Sequence, residues 1–299
     1  MSMQPKFALM SDGSCDFSLE EAEQKKVTLV PFYVSFDDTT YRREGYEVGV
    51  REFYEEMVSH PGVYPKSSMP SVDDYLQAFR PFTEAGTPVL CVCITSKFSG
   101  SFNCASAAAE LLREEFPRCE LLVLNSRVNT VLQGEVVREA ARLRDEGCTL
   151  AETVARLEAV IPTGRIIFTI GSMDYLKMGG RIGKVASVVT GALGIKPLII
   201  LKEGEIFPAG IFRSREKGKA RLIELTRRHL ETCGEDPAGY RYVVGYGYDR
   251  QEAEAFRDDM LAMLRELCGL ESLGVYQIGA TIGVHTGPHP IGVGLLKRA

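Results

Sequence analysis

Several common functional signatures are missing from these 299 residues. There is no C-x-x-C pair, no G-x-S-x-G elbow, no repeat with a period of 20–50 residues and no low-complexity tract. What remains is an ordinary globular mixture, 45% hydrophobic and 25% charged. The net charge is only −5, with acidic and basic residues interspersed. No domain-wide positive field can neutralise a phosphate backbone, so nucleic acid is not an expected partner. Nor is there a basic amphipathic segment to lie on a bilayer, so any lipid would be held in a pocket. Met1 to Lys6 lacks the apolar core of a secretory signal. The eight cysteines, at 15, 91, 93, 104, 119, 148, 233 and 268, are therefore read as reduced thiols of a cytoplasmic protein. Cys91 and Cys93, inside an apolar run, would behave as small buried hydrophobes. The even count is the one feature shared with a secreted disulfide scaffold.

Val275 to Leu296 contains no Lys, Arg, Asp or Glu, and Gly279, Gly283 and Gly287 fall four apart. Length and spacing mimic a membrane helix with a close-packing face. His285, Pro288, His289, Pro290, Gly292 and Gly294 would break such a helix repeatedly. The expectation is a strand leading into a buried glycine-rich loop, with no stable membrane insertion.

The first half alternates short apolar runs with helical patterns, as a parallel sheet with crossover helices does. Phe7–Met10, Val27–Phe36, Val89–Thr95 and Glu120–Leu124 read as strands. Val89–Thr95 is apolar enough for a central strand covered on both faces. Helices are expected over Ser101–Phe116 and Leu150–Ile161. Pro162-Thr163-Gly164 is taken as the boundary between an N-terminal α/β domain, 1–163, and a C-terminal α/β domain, 164–299. In the second half Ile166–Ile170 is a strand and Val185–Leu193 a buried helix. Glu203-Gly204 turns a hairpin between Pro197–Leu201 and Glu205–Pro208. A basic helix covers Glu216–Leu230. Strands at Tyr242–Tyr246 and Glu271–Ile278 flank a helix, Gln251–Leu267, whose Phe256, Met260, Met263, Leu264 and Leu267 form an apolar face.

Hydroxyl-bearing loops are the most informative feature. Ser11, Ser14 and Ser18 follow the first strand; Thr95, Ser96, Ser99 and Ser101 follow the central one. In an open parallel sheet such loops gather at the carboxyl edge, where ligands bind. Ser96 to Ser101 also opens a helix, whose free N–H groups favour an anion, with Gly100 permitting close backbone approach. Capping and turn formation account for any single serine equally well. In Pro65-Lys66-Ser67-Ser68-Met69-Pro70-Ser71, a capping box with Asp74 explains Ser71 but leaves Ser67 and Ser68 to reach a ligand. Ser99-Gly100-Ser101 has no identifiable triad partners, so no catalytic residue is assigned. Met178 to Val185 resembles a phosphate loop without its first glycine or the hydroxyl after the lysine, and a tight turn or close packing suits its glycines better. His285 and His289 cannot share a helical face across Gly287-Pro288, and no metal site or cofactor is expected.

Taken together, the segments Ser11-Asp12-Gly13-Ser14-Cys15-Asp16, Ser67-Ser68-Met69-Pro70-Ser71 and Thr95-Ser96-Lys97-Phe98-Ser99-Gly100 resemble blocks of the DegV family of fatty-acid-binding proteins. So do Tyr175 to Ile182 running on to Gly194-Ile195-Lys196-Pro197, then Arg213-Ser214-Arg215 and His285-Thr286-Gly287-Pro288. The blocks occur in order over nearly the whole chain. The resemblance implies a two-domain α/β fold with a lipid tunnel. It implies a long-chain fatty acid whose carboxylate is presented to a separate fatty acid kinase subunit, which makes an acyl phosphate for phospholipid metabolism. By position, Ser67 and Ser99 would bind the carboxylate with the Gly100 N–H, His285 would donate to or orient that network, and Arg213 would dock the kinase, while Ser68 stays a ligand candidate from its loop alone. Ser67 stands where the family usually has threonine, Gly13 where it has a hydroxyl residue, and His289 where it has glycine, which would reshape the tunnel mouth. Neutral hydroxyls would satisfy the head group without an arginine clamp. The competing readings are a kinase-like or hydrolytic enzyme using His285 and a serine, and a lipid-sensing regulator.

Overall fold

The structure is a computed structural model that describes residues 5–188 and 195–299. In chain order the N-terminal half runs β1 (Ala8–Asp12), α1 (Leu19–Gln24), β2 (Val27–Val30), β3 (Tyr33–Ser35), β4 (Arg42–Arg43), α2 (Val50–Ser59), β5 (Lys66–Ser68), α3 (Val72–Glu84), β6 (Val89–Cys93), α4 (Ser101–Glu115), β7 (Leu121–Asn125), α5 (Thr130–Asp145) and α6 (Leu150–Val160). The second half runs β8 (Arg165–Thr169), α7 (Asp174–Met178), β9 (Lys196–Lys202), β10 (Glu205–Phe212), α8 (Arg215–Thr232), β11 (Tyr240–Tyr246), α9 (Arg250–Cys268), β12 (Gly274–Gln277), α10 (Ala280–Thr286) and β13 (Ile291–Lys297).

Four strands pair in parallel in the order β2-β1-β6-β7. Every residue of β6 is buried, as its unbroken apolar run requires. Met10, Cys91 and Cys93 face α3 and α4, while Leu9, Leu90 and Val92 face α5. The expected second strand, Val27–Phe36, is cut in two. Pro31 has no N–H for the ladder, so pairing with β1 stops at Val30. Tyr33–Ser35 turns away into a separate three-stranded sheet, β4-β3-β5.

The other large sheet, β10-β9-β8-β13-β11-β12, is antiparallel apart from the β11–β12 pair. Glu203 and Gly204 both take positive φ, 53° and 84°, and turn the β9–β10 hairpin. Phe256, Met260, Met263 and Leu264 of α9 pack with α8 on the outer face. The inner face, with Ile166, Ile199, Leu201 and Val243, shares one core with α5 and the first sheet.

The glycine-rich run near the C-terminus differs from the expected loop. It forms β12, then the seven-residue α10, then β13. α10 forms despite its glycines because its first N–H groups find a long-range partner. Glu44 accepts from Ala280 N at 2.5 Å, Thr281 N at 3.0 Å and Thr281 Oγ1 at 2.5 Å. Val185 lies in a 3₁₀ turn, Gly183–Val188, not an α-helix; 189–194, including the rest of the expected helix and Gly194, falls outside the described residues. All eight cysteines are free thiols. Among the described residues no helix is long and apolar enough to cross a membrane, and no cluster of His, Cys, Asp or Glu is arranged to hold a metal ion.

Candidate functional site

Thr281, Ile282 and His285 lie on one face of α10 and, with Ile278 just before the helix, line a cavity of about 300 Å³. Much of the remaining wall is apolar: Ile166, Phe168, Leu201 and Ile206 from the inner sheet face, Val131 from α5, and Phe32. Polar groups gather where α10 ends.

There His285 Nε2 lies 3.1 Å from Ser67 Oγ on β5. On the other side of the ring, Nδ1 is buried without a hydrogen-bond partner. Gly179, just past α7, fills that space: a Cβ on Gly179 would stand 2.1 Å from Nδ1. With no acceptor behind the ring, the imidazole proton belongs on Nε2, where it donates to Ser67 Oγ. The Ser67 proton is then free to donate into the cavity. Burial, and after it the charge of Arg181, holds His285 down at about 4, so the ring is neutral at pH 7.

Ser99 lines the same end. Its Oγ accepts from Ser101 N at 3.2 Å, which leaves the hydroxyl proton uncommitted. Gly100 caps α4, and its N–H donates to no protein atom among the described residues. Gly100 is not itself a lining residue; a Cβ there would meet the end of the flexible Met69 side chain, Sδ at 2.7 Å, which shows how close the Ser99 loop sits to the Ser67–Met69 segment. Ser68 also lines the cavity, at its exposed rim. Thus Ser67, Ser68, Ser99 and His285 share one cavity with Gly100 beside it. Arg213 is elsewhere, exposed between β10 and α8.

The first-strand serines take another role. Ser11, Ser14 and Ser101 are fully buried, gathered around Asp12 rather than around the cavity. Asp12 accepts from Ser101 Oγ at 2.6 Å, Gln133 Nε2 at 2.7 Å and Ile94 N at 2.9 Å. Burial pushes its pKa up against these bonds. This hub ties β1 to the starts of α4 and α5, and so fixes the loop that carries Ser99. His289, expected at the tunnel mouth, is not a lining residue; it packs against Gly171 beside Tyr248.

The charged residue of the cavity wall was absent from the expected set. Arg181 lines the cavity, donates from Nε to Phe98 O at 3.1 Å and from Nη1 to Gly179 O at 2.7 Å, and makes no ion pair among the described residues. The head end is therefore not built from neutral groups alone. Only the Gly179-Gly180-Arg181 run marked it in the sequence, where the turn accounted for the glycines and left the arginine without a task.

A serine and a histidine 3.1 Å apart meet the distance requirement for a nucleophile and its base. Yet no group orients Nδ1, and a ring held near 4 is a poor base at neutral pH. The pair is better placed to donate hydrogen bonds than to remove protons.

The DegV family model, described as an uncharacterised protein family, matches residues 6–298. The chain belongs to the DegV family. A DegV domain-containing protein of Deinococcus radiodurans is 30% identical over 288 residues, covering 96% of this chain and 97% of that one. Among solved structures, a stearic acid-binding protein of Eubacterium ventriosum superposes with a TM-score of 0.91 at 41% identity, covering 98% of each chain. A fatty-acid-binding DegV protein of Thermus thermophilus gives 0.85 at 28% identity, covering 98% and 99%. The α/β fold read from the sequence is that of these DegV proteins.

Proposed function

We propose that this DegV protein holds one long-chain fatty acid in the cavity along α10 and presents its carboxylate to a separate kinase subunit, which makes the acyl phosphate. The observation that carries the reading is the polarity of the cavity: apolar walls, with two hydroxyl donors and a neutral imidazole converging at one end. Tail burial contributes roughly 0.8 kcal/mol per methylene, so the tunnel supplies most of the affinity. The carboxylate, once desolvated, needs donors. Ser67, Ser68, Ser99 and the Gly100 N–H supply them in this reading, His285 orients Ser67, and Arg181 adds a positive charge at the rim. No residue of this chain acts as a catalyst. We place the protein in the cytoplasm, where its free thiols stay reduced, and its domain boundary at 163/164.

Protein purified from cells is expected to carry noncovalent fatty acid, detected by solvent extraction and mass spectrometry. Refilling the stripped protein should raise its melting temperature, because a ligand bound only by the native state stabilises it. Ser67→Ala and Ser99→Ala should each weaken binding by about 1–3 kcal/mol while leaving the stripped protein folded. Lipid-free protein whose melting ignores added fatty acid would count against the carrier; unchanged affinity in both variants would move the head group elsewhere.

Arg213 separates holding lipid from handing it over. It is exposed and makes no ion pair among the described residues, whereas its neighbour Arg215 is held by Glu252 at 2.7 Å. Arginine suits bidentate pairing with a partner's carboxylates. Arg213→Glu is expected to leave fatty-acid affinity intact and to slow phosphorylation by a cognate kinase, more so at low salt. Equal loss of both would place Arg213 in the fold instead.

A further inference from the structure

Asn129 has no task in carboxylate binding. It lines the cavity and is only 9% exposed. It occupies the N-cap position of α5 yet makes no cap, and its side-chain amide has no hydrogen-bond partner among the described residues. An amide that faces a cavity without a protein partner is left for water or for a bound ligand to satisfy.

Two further polar residues line the same stretch. Thr130 donates its hydroxyl proton to Asp16, and Thr281 donates its own to Glu44 at 2.5 Å. Both hydroxyls therefore have only lone pairs left to offer, while the Asn129 NH₂ group is a donor. Thr130 also takes φ 49°, a strained conformation for a β-branched residue. Asp16 holds it there from beside Gly279, whose Cβ would stand 2.7 Å from Asp16 Oδ1.

Gly279 opens α10 and His285 lies near its end. Six residues at 1.5 Å each put this polar station about 9 Å from the carboxylate end. An extended chain advances about 1.2 Å per bond, so the station faces roughly the eighth carbon of a bound acyl chain. We infer that the cavity is built for an acyl chain bearing a mid-chain oxygen, a hydroxyl or keto group, that the Asn129 amide recognises. This rests on the carrier reading above and names its ligand more closely.

The test compares octadecanoic acid with its 8-hydroxy and 2-hydroxy derivatives, each displacing a fluorescent fatty acid from stripped protein. Wild type should bind the 8-hydroxy acid at least as tightly as octadecanoic acid, and the 2-hydroxy acid about tenfold more weakly than the 8-hydroxy acid. Asn129→Leu should keep octadecanoic acid and lose about tenfold or more for the 8-hydroxy acid. An 8-hydroxy acid that binds wild type about tenfold more weakly than octadecanoic acid would overturn the inference and leave the carrier intact. So would an Asn129→Leu variant that weakens both acids equally. Failure of wild type to bind any of the three would overturn the carrier itself.

Discussion

Gly179→Ala is expected to abolish measurable fatty-acid binding and to destabilise the fold by about 1–3 kcal/mol, the usual cost of forcing a methyl into a filled space. The new Cβ would lie 2.1 Å from His285 Nδ1, 2.9 Å from Cε1 and 3.0 Å from Tyr175 O, so neither the ring nor the backbone can stay where it is. The ring cannot retreat with its helix, because Glu44 fixes the start of α10 through three hydrogen bonds. It must move toward Ser67 and into the volume reserved for the carboxylate. Gly180→Ala is the matched control. Gly180 has φ 68° and nothing within 4 Å of its added Cβ, so alanine there strains the backbone without touching His285. Denaturant titration should find both variants destabilised, while fatty-acid displacement should find only Gly179→Ala defective. Binding retained by Gly179→Ala would mean that the His285 position does not govern the head group.

The same pair shows what the sequence made legible. Met178 to Val185 stood out through its glycines, and a tight turn or close packing was the role expected of them; Gly180, at φ 68°, serves the turn and Gly179 the packing. What packs there could not be read, because His285 reaches Gly179 only through the docking of α10 on α7 and the small sheet. Strands β1 and β6 were legible because a strand buried on both faces leaves an unbroken apolar run. α5 was not, for the opposite reason. It is buried on nearly every side, yet Gln133, Glu135, Glu139 and Arg144 are among its buried residues, so no apolar stripe marks it. Three of them are held by groups distant in sequence: Gln133 by Asp12, Glu139 by Arg241 and the Ala299 N–H, Arg144 by the Lys25 and Lys26 carbonyls; Glu135 accepts from Arg138 at 2.8 Å, one turn along the same helix. Such long-range pairing replaces the local pattern from which helices are read. Asn129 carried no functional signal either, since an N-cap asparagine is ordinary until its amide is found to cap nothing.

Acid should destabilise the lipid-free protein through His285, by about 3 kcal/mol between pH 7 and pH 4. The ring titrates near 6.5 in the unfolded chain and near 4 in the folded one, with burial as the main cause and Arg181 second. A folded pKa lower than the unfolded one means that the unfolded state takes up the proton first. The stabilisation is therefore complete above pH 6.5 and is lost as pH falls toward 4. Other buried groups pull the opposite way. Burial raises the carboxyl pKa of Asp12, Asp16 and Glu44, so their cost to the fold at neutral pH is relieved as the solution is acidified. The wild-type profile alone would mix the two effects. The difference between wild type and His285→Gln removes the carboxyl contribution common to both, and the lost Ser67 contact enters it as an offset that does not vary with pH. Urea denaturation of both stripped proteins should show wild type losing about 3 kcal/mol relative to the variant on going from pH 7 to pH 4. A difference that stays flat across that range would mean that His285 is solvated rather than sealed behind Gly179, and the proton relay from Nε2 through Ser67 into the cavity would fall with it.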